Sequence, residues 1–306
     1  GKHKVYGAVN ISVDKLDESG ARVDADGKKG SKIGMKGSMN TSISDFKAIY
    51  QIEAGMLLGP DQTGGLITQR DTWAGLSSKS MGTVRVGTMA THYKQTGAMT
   101  DVLFGTSAAG RGLIGTQSGL HGGTGAGSGR ATQMIRYDSP SISGAKVIAQ
   151  YQLTSLENNL GLGLQYKAGN YLAYFDYIDL KTAGGATPAK ADKTAMKFGG
   201  KAKFGPASLA VQYELDDKGS ALNSATPDAT GNQLHVQGTY TLGATTLILT
   251  VGRNDENIGW VVAASQKVAK KASVYAGYAS SGSSVGAGDA GDSSAITVGM
   301  AVAFAK

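Results

Sequence analysis

The sequence predicts an all-β chain that closes into a sixteen-stranded antiparallel transmembrane β-barrel. Three observations predict it. Side chains along a strand alternate between its two faces, and residues 294–304 put Ile296, Val298, Met300, Val302 and Phe304 on one face and Ala295, Thr297, Gly299, Ala301 and Ala303 on the other. One face is large and apolar, the other small or weakly polar. The pattern recurs in sixteen segments along the 306 residues, each of roughly ten residues, the length a tilted strand needs to cross a bilayer. No run of eighteen apolar residues exists, so no transmembrane helix competes.

The first strand spans about 4–15, with Val5, Val9, Ile11 and Val13 opposite Tyr6, Ala8, Asn10, Ser12 and Asp14, and a polar loop follows from Lys15 to Lys29. The second, 29–39, sets Lys32 and Lys36 against Ile33 and Met35. The third, 45–58, sets Lys47, Gln51 and Glu53 against Phe46, Ala48, Tyr50 and Ile52. The fourth and fifth, 66–79 and 80–90, meet at a short turn around Ser78–Gly82. Residues 91–129 do not alternate and end in the glycine-rich run 122–129. An irregular loop of that length is usually functional or disordered. Alternation returns at 130–139 and 144–156, then at 159–168 and 170–181 around Gly169-Asn170. The pair 194–204 and 207–217 joins at Gly205-Pro206, and the last five strands are 231–242, 244–255, 257–267, 271–281 and 293–304. Short turns alternate with longer polar loops at 181–193, 218–230 and 281–293; the short turns are expected at the periplasmic end. The whole chain, 1–306, reads as one domain. A soluble β-sandwich or propeller has shorter strands or a repeating blade motif, and neither pattern is present.

Composition agrees. Glycine is abundant at 46 residues and proline scarce at 5, as suits tight turns and unbroken ladders. With no cysteine, disulfides and thiolate metal sites are excluded. The net charge of +7 does not form a nucleic-acid patch. Lys197, Lys201 and Lys203 alternate with Met196, Phe198, Ala202 and Phe204, which puts the charge opposite the phenylalanines. The chain enters a strand at Val5, as expected of a mature exported chain whose leader has been removed.

Catalytic chemistry has little support. His3, His92, His121 and His235 lack metal-ligand spacing. His235 lies on the polar parity beside Gln233, Gln237 and Thr239, where it lines a lumen rather than an outer-wall catalytic pair. The glycine run lacks the strand–helix context of a phosphate loop. Asp24 with Asp26, or Asp289 with Asp292, has oxygen donors for calcium, but solvated loop acids are the plainer reading. An enzyme is not expected, nor is a cofactor or metal.

The polar face carries the informative charges. Its parity includes Lys32, Lys36, Arg70, Arg85, Arg130, Arg136, Lys197, Lys201 and Lys203, against Asp14, Glu53, Asp176, Glu214 and Asp216. A charge facing lipid at mid-membrane costs about 2–4 kcal/mol, whereas sixteen strands enclose an aqueous channel in which charges stay hydrated.

Several segments resemble the general-diffusion porins of Gram-negative outer membranes, in particular the beta-proteobacterial type. They are Ser31-Lys-Ile-Gly-Met-Lys-Gly37, Lys47-Ala-Ile-Tyr-Gln-Ile-Glu53, Gln69-Arg-Asp-Thr-Trp-Ala-Gly-Leu-Ser77, Gly82-Thr-Val-Arg-Val-Gly87 and Ile135-Arg-Tyr-Asp-Ser-Pro140, together with the apolar C-terminal strand. The resemblance implies a homotrimer in the outer membrane, bounded by lipid and lipopolysaccharide. It also implies that the third loop, about 91–129, folds into each pore and narrows it. In that family a ladder of basic wall residues faces acids on this loop. The rungs fall on Lys32 with its neighbour Lys36, on Arg70 and on Arg130, and the loop segment on Thr100-Asp101-Val102-Leu103. Arg85, Arg136, Gln51, Glu53, Lys197, Lys201 and Lys203 are then pore-lining. The second acid such loops often carry is missing, since Phe104-Gly105 follow directly, and Ala305-Lys306 follow the phenylalanine on which the family closes. The expected function is passive diffusion of small hydrophilic solutes and ions with a modest anion preference. The alternative is a substrate-specific channel for phosphate or carboxylates.

Overall fold

In a computed structural model the described residues are 1–24, 30–56, 67–120, 130–154, 158–181, 193–216, 231–254, 257–282 and 292–305. The wall is built from β1 (Lys2–Leu16), β2 (Gly20–Asp24), β3 (Lys32–Asn40), β4 (Phe46–Met56), β5 (Ile67–Ser78), β6 (Gly82–Ala90), β7 (Arg130–Asp138), β8 (Ala145–Gln152) and β9 (Asn159–Ala168). It continues through β10 (Tyr171–Leu180), β11 (Lys193–Phe204), β12 (Ala207–Asp216), β13 (Gly231–Leu242), β14 (Thr245–Asn254), β15 (Asn257–Ala269), β16 (Ala272–Ser281) and β17 (Ser294–Ala305). Each strand pairs antiparallel with its neighbours, and β17 returns to β1, from Tyr6 opposite Ala305 to Leu16 opposite Ala295. The barrel is therefore closed and has no free edge.

All sixteen expected strands are present. The seventeenth, β2, was expected to be loop. It is the upper part of an interrupted wall strand, because β2 and β3 both pair with β1, through residues 12–16 and 2–8 respectively. Ser31 bridges the break: its hydroxyl donates to the Asn10 carbonyl at 2.9 Å and accepts from the Asn10 amide at 3.0 Å. The wall thus counts sixteen strands, as expected. At the closing seam, Asp292 accepts from the amides of Glu18 and Ser19, and Asp17 accepts from Ser293 and Ser294. That gives Asp292 a structural role in place of the calcium reading; Asp26 and Asp289 lie outside the described residues, as do most of loops 181–193, 218–230 and 281–293 and the glycine run.

Alternation sorts the side chains as the sequence requires. Val262 and Val298 are 54 % and 55 % exposed on the outer surface, whereas their neighbours Val261 and Thr297 are buried inside. A continuous outward apolar belt is stable only against hydrocarbon. No helix among the described residues is long and apolar enough to cross a membrane; the strands do the crossing.

Two register shifts near the basic wall residues alter the parity, beside a third between Lys267 and Ala269 at the β15–β16 turn. Between Ile52 and Ala54 the β4–β5 register shifts, so that Arg70 and Asp71 together oppose Glu53. A bulge leaves two residues against one and re-aims a side chain. Both side chains turn inward here, Arg70 to Glu53 and Asp71 to Arg130. A second shift lies between Gly87 and Met89, opposite the positive-φ residue Gln133.

Candidate pore constriction

Residues 91–120 lie against the inner wall. They open with α1 (His92–Met99), which Thr91 caps by accepting the Lys94 amide at 3.1 Å. Its residues, His-Tyr-Lys-Gln-Thr-Gly-Ala-Met, carry no apolar stripe, so the helix stands on contacts with the wall. His92 Nδ1 sits 2.6 Å from Asp176 Oδ1, and Thr96 donates to Asp176 Oδ2 at 2.6 Å. Tyr93 donates its hydroxyl to Glu214 at 2.8 Å, and Lys197 donates to the Tyr93 carbonyl with its ammonium 4.2 Å from the Tyr93 ring. Successive tight turns follow: Thr106 N–H to Leu103 O, Ala109 to Thr106, Gly112 to Ala109 and Gly115 to Gly112. The segment then returns to Glu214, which accepts the Ser118 amide at 2.8 Å and its hydroxyl at 2.6 Å.

Apolar contact holds the middle of the segment. Leu103, Ala108 and Ile114 bury themselves on Ile248, Val261, Ala263 and Ala279 of β14–β16. These wall residues are apolar although they stand on the inward parity. Two glycines make the approach feasible: a Cβ at Gly163 would lie 2.4 Å from His92 Nδ1, and one at Gly259 2.5 Å from the Ile114 carbonyl oxygen.

Lys32, Arg70 and Arg130 meet acids of the wall itself and not the expected loop acid. Lys32 and Arg70 converge on Glu53, at 3.5 and 2.5 Å. Tyr6 donates to the same carboxylate at 2.8 Å, and Gln51 approaches it at 3.4 Å. Arg130 meets Asp71 at 2.5 Å. Lys36 is exposed, 5.4 Å above the Tyr6 ring. Asp101 stands elsewhere. It is 2 % exposed and accepts from Gln237 at 3.0 Å, from the Gly110 amide at 2.8 Å and from the Leu103 amide at 2.9 Å. Its charge therefore organises the loop against β13 instead of facing Lys32, Arg70 and Arg130. The loop group nearest those bases electrostatically is Lys94. Burial, then Arg130, Arg111 and Arg70, push its pKa down to about 6, with Asp71 opposing. Arg111, with its guanidinium 4.8 Å over the Phe104 ring, falls to about 10 through burial and stays charged.

Lys197 was expected to line the pore, yet it is fully buried beneath α1, because the loop covers that part of the wall. His235 is likewise covered, 2.9 Å from Thr116. Lys201 and Lys203 continue the same face of β11, half-buried and exposed. Further along the wall, Arg85 and Arg136 stand directly opposite each other across β6 and β7. Like charges in that position repel. Asp138 joins them, accepting from Arg85 at 2.8 Å, from Arg136 at 2.7 and 3.1 Å, and meeting Lys146 at 3.4 Å. Asp138 is missing from the expected inward acids although it shares the parity of Arg136, whereas Asp71 is hidden by the bulge.

No group of three or more metal-ligating side chains occurs among the described residues. A family model described as "Gram-negative porin" matches residues 2–286. No curated protein matches the sequence. Among solved structures, the chain is similar to an anion-selective porin from Comamonas acidovorans at 18 % identity, TM-score 0.76 and 99 % coverage of both chains. It is similar to OmpF of Salmonella typhi in complex with daunomycin at 15 % identity, TM-score 0.77, covering 99 % of this chain and 98 % of that one. It is also similar to the trimer form of OmpT from Vibrio cholerae at 15 % identity, TM-score 0.67, covering 100 % and 99 %.

Proposed function

The chain belongs to the Gram-negative porin family and forms a passive diffusion channel in the outer membrane, and from that premise we propose that its pore favours small anions. One observation carries the reading. On the wall from β3 to β8, basic groups share too few acids: Lys32 and Arg70 share Glu53, and Arg85, Arg136 and Lys146 share Asp138. The loop acid expected to offset them, Asp101, spends its charge inside the loop. In a narrow channel of low effective dielectric such an excess acts more strongly than in bulk water. Lys32, Lys36, Arg70, Arg85, Arg130 and Arg136 are the selectivity-determining residues in this reading, with Gln51, Glu53, Lys201 and Lys203 as further lining. The anion-selective Comamonas porin is consistent with it.

We assign the assembly as a homotrimer, in keeping with the trimeric Vibrio cholerae structure, with outer-membrane lipid and lipopolysaccharide around its apolar belt. Uptake into proteoliposomes of glycolate and ethanolammonium, similar in size and opposite in charge, tests the preference. Glycolate should enter faster, and both rates should rise linearly with concentration. Equal or faster entry of ethanolammonium would overturn it.

A further inference from the structure

A recess of about 860 Å³ opens between α1 and the wall from β4 to β9. That volume lies within the range of small-molecule sites, about 300–1,000 Å³, which are mostly apolar with a few placed polar groups. Three features of its lining specify an occupant. The first is charge: Arg85, Arg136 and Lys146 surround Asp138, leaving two positive charges without a carboxylate in the recess. The second is donor capacity. Trp73 Nε1 and Arg85 Nε are buried and have no hydrogen-bond partner among the described residues. Leaving such donors unsatisfied is costly, which marks them as awaiting an acceptor. The third is shape. The Arg85 guanidinium lies 5.2 Å from the Trp73 ring, and Ile49, Met99 and Ile148 complete an apolar side. Trp73 itself is anchored against Met89, Ala131 and Met134.

We propose that this recess binds a small aromatic monocarboxylate. The carboxylate takes the free N–H groups of Arg85 and Trp73, where bonds to an ionised acceptor are the strong kind. The flat apolar body lies along Met99, Ile49 and Ile148. Inorganic phosphate would match the charge but would leave the apolar side wet; acetate would use the donors and fill little of the space. The site rests on the anion reading of the pore, since it uses the same excess of basic wall residues. It adds retention of one solute class to simple passage.

The test uses the whole channel in detergent micelles, with benzoate as the probe. In a Trp260→Phe background Trp73 is the sole tryptophan, and its emission, excited at the red edge to avoid benzoate absorption, reports occupancy. Benzoate should change the emission saturably, and equimolar acetate should not. Arg85→Gln should raise the half-saturating concentration about tenfold, as expected for one lost charge-assisted bond. If Arg85→Gln does not form a barrel, Lys146→Gln at the rim serves and should weaken binding severalfold. A linear response, an equal response to acetate, or unchanged half-saturation in the folded variant overturns the site. The optical readout separates this outcome from ion selectivity: saturable benzoate binding in a cation-preferring channel would overturn the anion preference and leave the site standing.

Discussion

Glu214 clasps both ends of the in-folded segment, and its removal is the most informative perturbation of the constriction. Its carboxylate accepts from Tyr93 Oη at 2.8 Å, from the Ser118 amide at 2.8 Å and from Ser118 Oγ at 2.6 Å. Hydrogen bonds to a charged group contribute about 1.5–3 kcal/mol each. Three such bonds, discounted because neighbouring contributions do not add, come to about 4 kcal/mol of docking free energy. Glu214→Ala should therefore shift the docked-to-undocked ratio of the segment by roughly a thousandfold, at 1.4 kcal/mol per decade. Amide hydrogen exchange in micelles reads the shift, because exchange of a protected amide follows the population of its open form. The sensitive probes are the amides of Gln95 and Gly110, bonded to Thr91 O and Asp101 and not to Glu214. Both should exchange about a thousandfold faster, together. Acceleration confined to Ser118, with Gln95 and Gly110 unchanged, would refute the idea that Glu214 holds the segment as one unit.

Replacing Lys32, Arg70 and Arg130 together with glutamine should move the zero-current potential toward cations, since Glu53 and Asp71 lose their basic partners; an unmoved potential would remove these bases from the selectivity-determining set. Lys94, with its pKa near 6, is mostly neutral at pH 7.5 and becomes charged as the pH falls through 6. Anion preference should therefore rise between pH 7.5 and 5.5, and Lys94→Met should remove that rise. Gly259→Val places a side chain where the Ile114 carbonyl now sits; it should displace the loop and increase single-channel conductance without unfolding the barrel, with β-sheet circular dichroism as the control.

Much of the wall was legible because alternation is a local property with a global consequence. A strand facing lipid on one side and water on the other must alternate, so Val84, Arg85 and Val86 are placed without reference to any other strand. Alternation fails at the bulge, where Arg70 and Asp71 both turn inward. Nothing in Gln69-Arg-Asp-Thr-Trp marks the extra residue, and only the pairing with Glu53 reveals it. β2 escaped notice because five mostly small or polar residues, Gly20–Asp24, form a strand through pairing with β1 rather than through their own pattern. Asp101 was misplaced for a different reason. A motif fixes a position along the chain, whereas the hydrogen bonds of Gln237 and Gly110 fix where the carboxylate points. One further signal was present in the sequence. Ile178, Ile248 and Val261 are large apolar residues on the inward parity, unfavourable in a water-filled pore unless something covers them, and the loop covers all three.

The sign of the fixed charge that permeating ions meet decides which ions pass more readily. The zero-current potential of the unmodified channel in a planar bilayer, across a gradient of dilute potassium chloride at neutral pH, measures that sign directly. Screening lengths grow as salt is diluted, about 30 Å at 0.01 M against about 10 Å at 0.1 M, so the preference should strengthen toward the dilute end. A potential of chloride sign that grows on dilution is the predicted result, and a potential of potassium sign would contradict the account.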